Sequence, residues 1–519
     1  MPKEQKLNQE VRVRMAPSPT GPFHIGSART ALFNYLFAKK FQGKFIIRIE
    51  DTDRTRSKVE WEESIQEALN WLRLDYDEGL EKGGHFGSYR QSERSEIYQK
   101  YTEKLLFSRE AYYCFCTPAE LEEHRNSQLA QGLAPIYSGK CRKLTKEQSA
   151  QKKEAGDQCV IRLKVTPQTV VVNDLLKGQI EYDVALFGDI VIAKSVDEPL
   201  YNLACVIDDF EMKITHVIRG EEHLTNTPKQ FLIAKALGLD IPQYLHLPLI
   251  LNQQRAKLSK RDPSVAAKVS DYIEQGYLPE AVVNFIAFLG WNPGDTREIF
   301  SLEELIQDFS VEKLQKSGAI FNVPKLDWFN GYYIRQMSLD KLTNLCVPYL
   351  VKAGLISPLW GKSEVIPLVY DSNFTVLGFE NNKTKEKVSF NQLAKIISLY
   401  QERLKKLAEI GELVELFFEE VEYPKEILKW KKMEMAELPA VLDFLLKTLQ
   451  EVNEKDWNKE KLESVLMPEA ERLGDRGKLL WPLRVAVSGK MASAGPFEIA
   501  EVLGKEKTLQ RIKKAQEVL

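Results

Sequence analysis

Three groups of residues in this 519-residue chain have types and spacings that could do chemistry. The first is the stretch Ala16 to Ser27, APSPTGPFHIGS. Ala16 to Gly21 holds two prolines and a glycine, which end a strand and let backbone N–H groups approach a ligand closely. His24 and Gly26 then stand where a helical run opens. The unpaired N–H groups and positive dipole end of that helix point back at the loop and make an anion site. The second group, about 230 residues later, is the basic loop Lys257-Leu258-Ser259-Lys260-Arg261. Its lysines could neutralise charge developing on a leaving pyrophosphate. A lone His-x-Gly is more often a cap or a packing residue, and a lone basic run an exposed loop. The two together, on one returning sheet, favour a nucleotide site. The third group is Cys114, Cys116 and Cys141, spaced as metal ligands, although three thiolates fall short of the four ligands of a closed structural site.

Recurring patterns predict the elements that carry these groups. VRVRM (Val11 to Met15) alternates apolar and charged residues, as a strand with two different faces would. Ala28, Ala31, Leu32, Tyr35 and Leu36 recur at helical spacing after His24. FIIRI (Phe45 to Ile49) is a second strand, followed by the acidic turn Glu50 to Asp53. From Cys114 to about Pro199 the texture changes to lysine-rich helical pieces and short strands, which reads as an insertion. Strand and helix alternation then returns, with Thr227-Pro228 read as an N-cap and a first-turn proline, and LHLPLIL (Leu245 to Leu251) as a buried strand. Beyond Pro263 the periodicity is helical. The expectation is an α/β Rossmann-like domain split by an inserted α+β domain, with ligands at the carboxyl ends of its strands. A helical body follows.

Composition sets bounds on function. Such a length predicts several domains. With 72 basic against 74 acidic side chains the formal charge is −2, which does not advertise nucleic-acid binding and does not exclude a basic patch. Six cysteines in this length rule out a disulfide scaffold. The polar N-terminus is neither a signal nor a transit peptide, and no apolar run spans a membrane. The expectation is a cytoplasmic protein.

PSPTGPFHIGSART, RIEDTDRTRS, VIRGEEHLTNTPKQ and KLSKRD together resemble the bacterial glutamyl-tRNA synthetases, members of the class I aminoacyl-tRNA synthetases. The resemblance runs from about Arg12 to the C-terminal segment. It implies a catalytic domain in two halves (1–113 and 200–256), an inserted acceptor-binding domain (114–199), a stem-contact region (257–324) and an all-α anticodon-binding domain (325–519). It implies that Arg14, Ala16, Ser18, Glu50, Tyr201, Cys205 and Arg219 hold L-glutamate, with Arg14 on the side-chain carboxylate and Glu50 on the α-ammonium. It places ATP, with Mg²⁺, on His24, Gly26, Glu222, Ile250, Lys257, Ser259 and Lys260; His24, Gly26, Lys257 and Lys260 would act in the chemistry itself. His223 falls near the nucleotide, whereas His216 and His246, beside strands, read as structural.

The same resemblance implies glutamate tRNA as partner, glutamine tRNA remaining an open second, and a monomer. Cys114, Cys116 and Cys141 match a zinc pattern of a subset of these enzymes. Lys143 stands where that subset often has histidine, and Tyr137 resembles a tyrosine ligand of a paralogue. A structural zinc and three metal-free thiols both stand as readings. A synthetase-derived tRNA-binding regulatory protein is the alternative function, and it is disfavoured because His24, Gly26, Ser259 and Lys260 are all present.

Overall fold

The computed structural model describes residues 10–258, 268–359 and 378–519. They divide into two compact units, residues 1–271 with 279–326 and residues 272–278 with 327–519. Among the described residues of the first unit the strands are β1 (Arg12–Met15), β2 (Lys44–Ile47), β3 (Ala111–Cys114), β4 (Val160–Leu163), β5 (Thr169–Asp174), β6 (Gly178–Asp183), β7 (Val191–Ala193), β8 (His216–Gly220), β9 (Gln243–Leu247) and the short parallel pair β10 (Ile250–Leu251) and β11 (Ala319–Ile320). The main sheet runs β2-β1-β8-β9-β5-β6, parallel except for the β5–β6 hairpin.

Alternation in Val11 to Met15 reads as a strand with two different faces, and all four residues of β1, charged and apolar alike, are buried. A central strand of a parallel sheet is covered on both faces. The arginines stay inside because carboxylates meet them: Arg12 donates to Glu78 at 2.8 and 2.9 Å. The helix after His24 (α1, Ile25–Lys40) packs along β1, β2 and β8. It buries Arg29, Phe33, Asn34 and Phe37 as well as the predicted apolar positions. A helix apolar nearly all round belongs in an interior rather than on a surface.

The stretch from Cys114 to Pro199 does not form one separate body. β3, β4 and β7 make a small antiparallel sheet of their own, but the β5–β6 hairpin extends the main sheet, with Asp174 paired to Tyr244 of β9. Alternating burial along β5 explains the placement, since Val170, Val172 and Asp174 are buried and their neighbours exposed. Two further helices shape the site, α2 (Tyr201–Glu211) and α3 (Thr227–Leu237). The residue that caps α3 is Asn226, not Thr227, which lies in the first turn beside Pro228.

The second unit is helical, with long helices at Leu438–Glu451, Lys459–Arg472, Gly477–Ser488 and Pro496–Glu517. It departs from continuous helical periodicity in three places. A three-stranded sheet forms from Ile356–Pro358, Phe379–Asn381 and Lys387–Val388. The run after Phe390 stops at Ser398, and further on the N–H groups of Lys405 and Lys406 bond to the Glu409 carboxylate rather than to a helical ladder. The last helix breaks at Gly504, whose φ of 81° is open to glycine at little cost. No helix among the described residues is long and apolar enough to cross a membrane.

Candidate active site

A cleft of about 790 Å³ opens where the chain leaves the carboxyl ends of β1, β8 and β9. This is where a parallel α/β sheet presents its loops to ligands. β1 supplies Arg14 and feeds the loop carrying Ala16 and Ser18; β8 supplies Arg219 and feeds Glu222 and His223; Ile250 and Lys257 follow β9. Glu50, Tyr201, His24 and Gly26 complete the wall. Of the residues expected around glutamate and ATP, only Cys205 is described and absent from it. Ser259 and Lys260 lie outside the described residues, as does Arg261 of the same loop.

His24 is the N-cap of α1. Its Nδ1 accepts from the N–H groups of Gly26 and Ser27 at 3.1 and 3.2 Å. The imidazole therefore takes up two of the N–H groups that a helix start offers to an anion. A Cβ at position 26 would stand 3.0 Å from His24 Cε1, so a larger residue there would have to displace the imidazole.

The other end of the cleft rests on a buried ionic network. Arg14 donates from Nε to Asp209 at 3.0 Å and from Nη2 at 3.3 Å. Arg48 reaches Asp209 at 2.8 Å and Glu50 at 3.0 Å, and Arg94 meets Asp208 at 2.7 Å. Three arginines thus face three carboxylates in a region nearly closed to water. Burial alone would push the Asp209 carboxyl up, but Arg14 and Arg48 outweigh it and hold it below its ordinary value. At Glu50 burial wins over Arg48 and Arg14, and the pKa is raised. Arg14 and Glu50 are therefore engaged internally before any ligand arrives.

Cys205 is the correction among the pocket residues. Its Sγ lies 3.8 Å from nitrogens of Arg14 and Arg48 and 3.6 Å from Asp209, behind the wall rather than on it. The cause is helical register: Cys205 is one turn from Tyr201, where α2 has entered the core. Burial pushes its thiol up to about 12.

Tyr201 hydrogen-bonds His223 Nδ1 at 3.1 Å. Burial, reinforced by Arg219, lowers His223 to about 3, so the imidazole is neutral at physiological pH. Arg219 bonds Thr227 Oγ1 at 2.8 Å and His246 Nε2 at 3.2 Å. Its Nη1 is buried with no hydrogen-bond partner among the described residues.

Sequence reading missed Asp209, Arg48 and the link from His246 to Arg219. Asp208-Asp209 inside the apolar run ACVIDDF, and Arg48 inside FIIRI, were the available signals. Charges in segments that must be buried need partners. His216 is buried as expected, with its pKa lowered by burial to about 4 and its ring 4.8 Å from that of Phe37.

Apart from the cleft, the sulfurs of Cys114, Cys116 and Cys141 lie within 4.8 Å of one another. Cys116 and Cys141 are 3.6 Å apart, close to the roughly 3.8 Å that tetrahedral Zn–S bonds of about 2.3 Å dictate. The Tyr137 hydroxyl joins them at 3.3 Å from Cys114 and 3.5 Å from Cys116. Three thiols and one phenol thus converge, a donor set that fits a four-coordinate cation. Cys159 is not part of this cluster.

Residues 10–328 match the family model described as tRNA synthetases class I (E and Q), catalytic domain, and residues 342–516 match an anticodon binding domain. A glutamate–tRNA ligase of Caldicellulosiruptor saccharolyticus is 44% identical over 510 residues, covering 97% of this chain and 98% of that protein. One from Bacillus subtilis is 43% identical over 510 residues, covering 98% and 100%. The crystal structure of a glutamate tRNA ligase from Elizabethkingia meningosepticum in complex with its amino acid aligns with a TM-score of 0.83 at 35% identity, covering 98% of this chain and all of that one. With matches of this extent over both units, the chain belongs to the glutamate–tRNA ligase family of class I aminoacyl-tRNA synthetases.

Proposed function

We propose that the chain activates L-glutamate with ATP and esterifies it to the terminal adenosine of a tRNA. The observation that carries this is the single cleft shared by two kinds of site, Arg14, Glu50 and Arg219 on one side and the capped start of α1 with Lys257 on the other. In the first step an α-carboxylate oxygen of glutamate attacks the α-phosphorus of ATP. The bond to the β-phosphate bridging oxygen breaks, and pyrophosphate leaves. In the second a ribose hydroxyl of the tRNA end attacks the activated carbonyl, its proton is lost, and AMP leaves. A carboxylate needs no general base, so the residues act by alignment and by stabilising charge. His24 and Gly26 shape the phosphate cradle, and Lys257 and Lys260 meet the leaving group. Mg²⁺ bound with ATP supplies further charge neutralisation.

Arg14, already paired with Asp209, would share recognition of the substrate's carboxylates with Arg219, whose buried Nη1 is unpaired. Glutamine, lacking the side-chain charge, would leave that arginine surface unmatched, a basis for its rejection. Ala16 and Ser18 would line the same end, and Glu222 and Ile250 the nucleotide end. The donor set Cys114, Cys116, Tyr137 and Cys141 would hold a structural Zn²⁺ that ties the end of β3 to the segment before Lys146. Residues 325–519 would meet the anticodon, a reading supported by the anticodon binding domain matched over 342–516; 114–199 would meet the acceptor end and 257–324 the stem. The enzyme would work as a monomer in the cytoplasm.

Glutamate-dependent ATP–pyrophosphate exchange, run with and without tRNA, tests the reading. Exchange that requires glutamate and is stimulated by tRNA is expected; a chain that binds tRNA yet exchanges nothing would be the regulatory protein instead. Charging of purified glutamate and glutamine tRNAs then decides the partner.

A further inference from the structure

Arg219 is held by a chain of buried groups that the activation chemistry above does not use. His246 is wholly buried, and its Nδ1 lies 2.7 Å from Asp174 Oδ2. The same oxygen accepts the backbone N–H of His246 at 3.0 Å. Asp174 Oδ1 accepts the N–H groups of Leu176 and Lys177 at 2.9 and 2.7 Å. On the far side of the ring, Nε2 faces Arg219 Nε at 3.2 Å and Thr227 Oγ1 at 3.1 Å. Thr227 Oγ1 in turn accepts from Arg219 Nη2 at 2.8 Å and can donate to the His223 carbonyl at 3.2 Å.

Proton bookkeeping sets the polarity of the histidine. Burial would push the Asp174 carboxyl up, but the bond to His246 and the backbone donors outweigh it, and the group stays ionised. A carboxylate only accepts, so His246 Nδ1 carries the hydrogen. Burial keeps His246 neutral. Nε2 is then an acceptor, and an arginine Nε–H is what it faces. With Nε and Nη2 both taken, the guanidinium plane is fixed, and Nη1 is left buried without a partner among the described residues.

We infer that Asp174 and His246, with Thr227, are positioning residues for glutamate: they aim the guanidinium of Arg219 so that its unpaired edge serves a carboxylate of the substrate. The inference rests on the proposed function. It assigns a role in the amino-acid pocket to Asp174, which lies on β5 within the stretch otherwise read as acceptor-binding, and to a histidine that sequence reading set aside as structural.

Asp174→Asn reverses the polarity of the chain. An amide that keeps its oxygen on Leu176 and Lys177 presents NH₂ to His246, which shifts the imidazole hydrogen to Nε2, against Arg219 Nε–H. The test is ATP–pyrophosphate exchange by the full chain with tRNA, varying glutamate and ATP separately, beside a thermal melt. For Asp174→Asn and Thr227→Val, KM for glutamate should rise about tenfold or more, as for a buried donor left unmatched. The KM for ATP and kcat at saturating glutamate should stay within about twofold. Thr227→Ser should restore what Thr227→Val loses. Should Asp174→Asn fail to fold, the two Thr227 variants decide alone. An unchanged glutamate KM, or a fall in kcat alone, overturns the inference while leaving the proposed function intact. A wild-type chain without glutamate-dependent exchange overturns the proposed function itself, and the inference with it.

Discussion

Asp209 is the side chain whose loss should tell most about the pocket. It is the shared counter-charge of Arg14 and Arg48, at 3.0 and 2.8 Å, and all three side chains are nearly sealed from water. Asp209→Asn keeps shape and one acceptor but takes from Arg14 its paired carboxylate and leaves Arg48 with Glu50 at 3.0 Å and Asp208 at 3.9 Å. Removing one partner of a buried pair costs about 3–5 kcal/mol, because the charge left behind stays desolvated. The retained amide oxygen argues for the low end, about 3 kcal/mol. For a unit of this size that is a fall in Tm of roughly 4 °C or more. Differential scanning calorimetry would read it.

The pH dependence follows from the lowered Asp209 pKa. A carboxyl held below its ordinary value of 3.8 stabilises the folded chain fully above that pH and loses its contribution as pH falls toward the folded value. The gap between wild type and variant should thus be constant across neutral pH and narrow only below about 3.8. Because Arg14 would lose its brace, the glutamate KM should rise about tenfold or more while that for ATP holds. A variant melting within about 1 °C of wild type, with an unaltered glutamate KM, would refute the claim that this network supports the pocket.

Other outcomes follow from single features. Purified protein should carry about one zinc per chain, and Cys141→Ser should release it; less than about a tenth of an equivalent in wild type removes the site. His216 has its pKa lowered from 6.5 to about 4, so the unfolded chain binds a proton that the folded chain refuses, and stability falls as pH drops from 6.5 toward 4. That slope amounts to about 3 kcal/mol; Tm measured at pH 7 and 4.5 should drop less for His216→Gln than for wild type, and equal drops would count against it. Lys260→Ala should cut glutamate activation severely while leaving the thermal transition in place, and near-normal turnover would sink its assignment.

The catalytic half of the chain was legible because its loops combine residue types that seldom meet by chance. A proline and glycine loop, a histidine before a helical run and a lysine pair after the returning strand all point to one cleft, and of the residues expected around glutamate and ATP the cleft gathers every described one except Cys205. What periodicity could not supply was pairing across long sequence distances. Asp209 meets Arg14 across 195 residues, and Asp174 meets His246 across 72. Helical periodicity also misled where tertiary bonds compete with the ladder, as in the stretch from Leu399 to Glu409, and where one glycine turns a helix at position 504.

The burial of VRVRM bears on the site itself. A strand with one hydrated face would leave Arg14 free to turn. In a sheet buried on both sides the same arginine can remain only with a counter-charge, and α2 provides one through Asp209. The outcome is an arginine whose reach is set before substrate arrives. Arg219 is fixed in the same way by Asp174 and His246. If Arg14 and Arg219 hold glutamate as proposed, a dicarboxylate entering between them would meet donors with no alternative arrangement, and a ligand lacking one carboxylate would forfeit a full interaction rather than let the pocket relax around it. Discrimination against an uncharged analogue would then belong as much to the buried acids behind the wall as to the arginines on it.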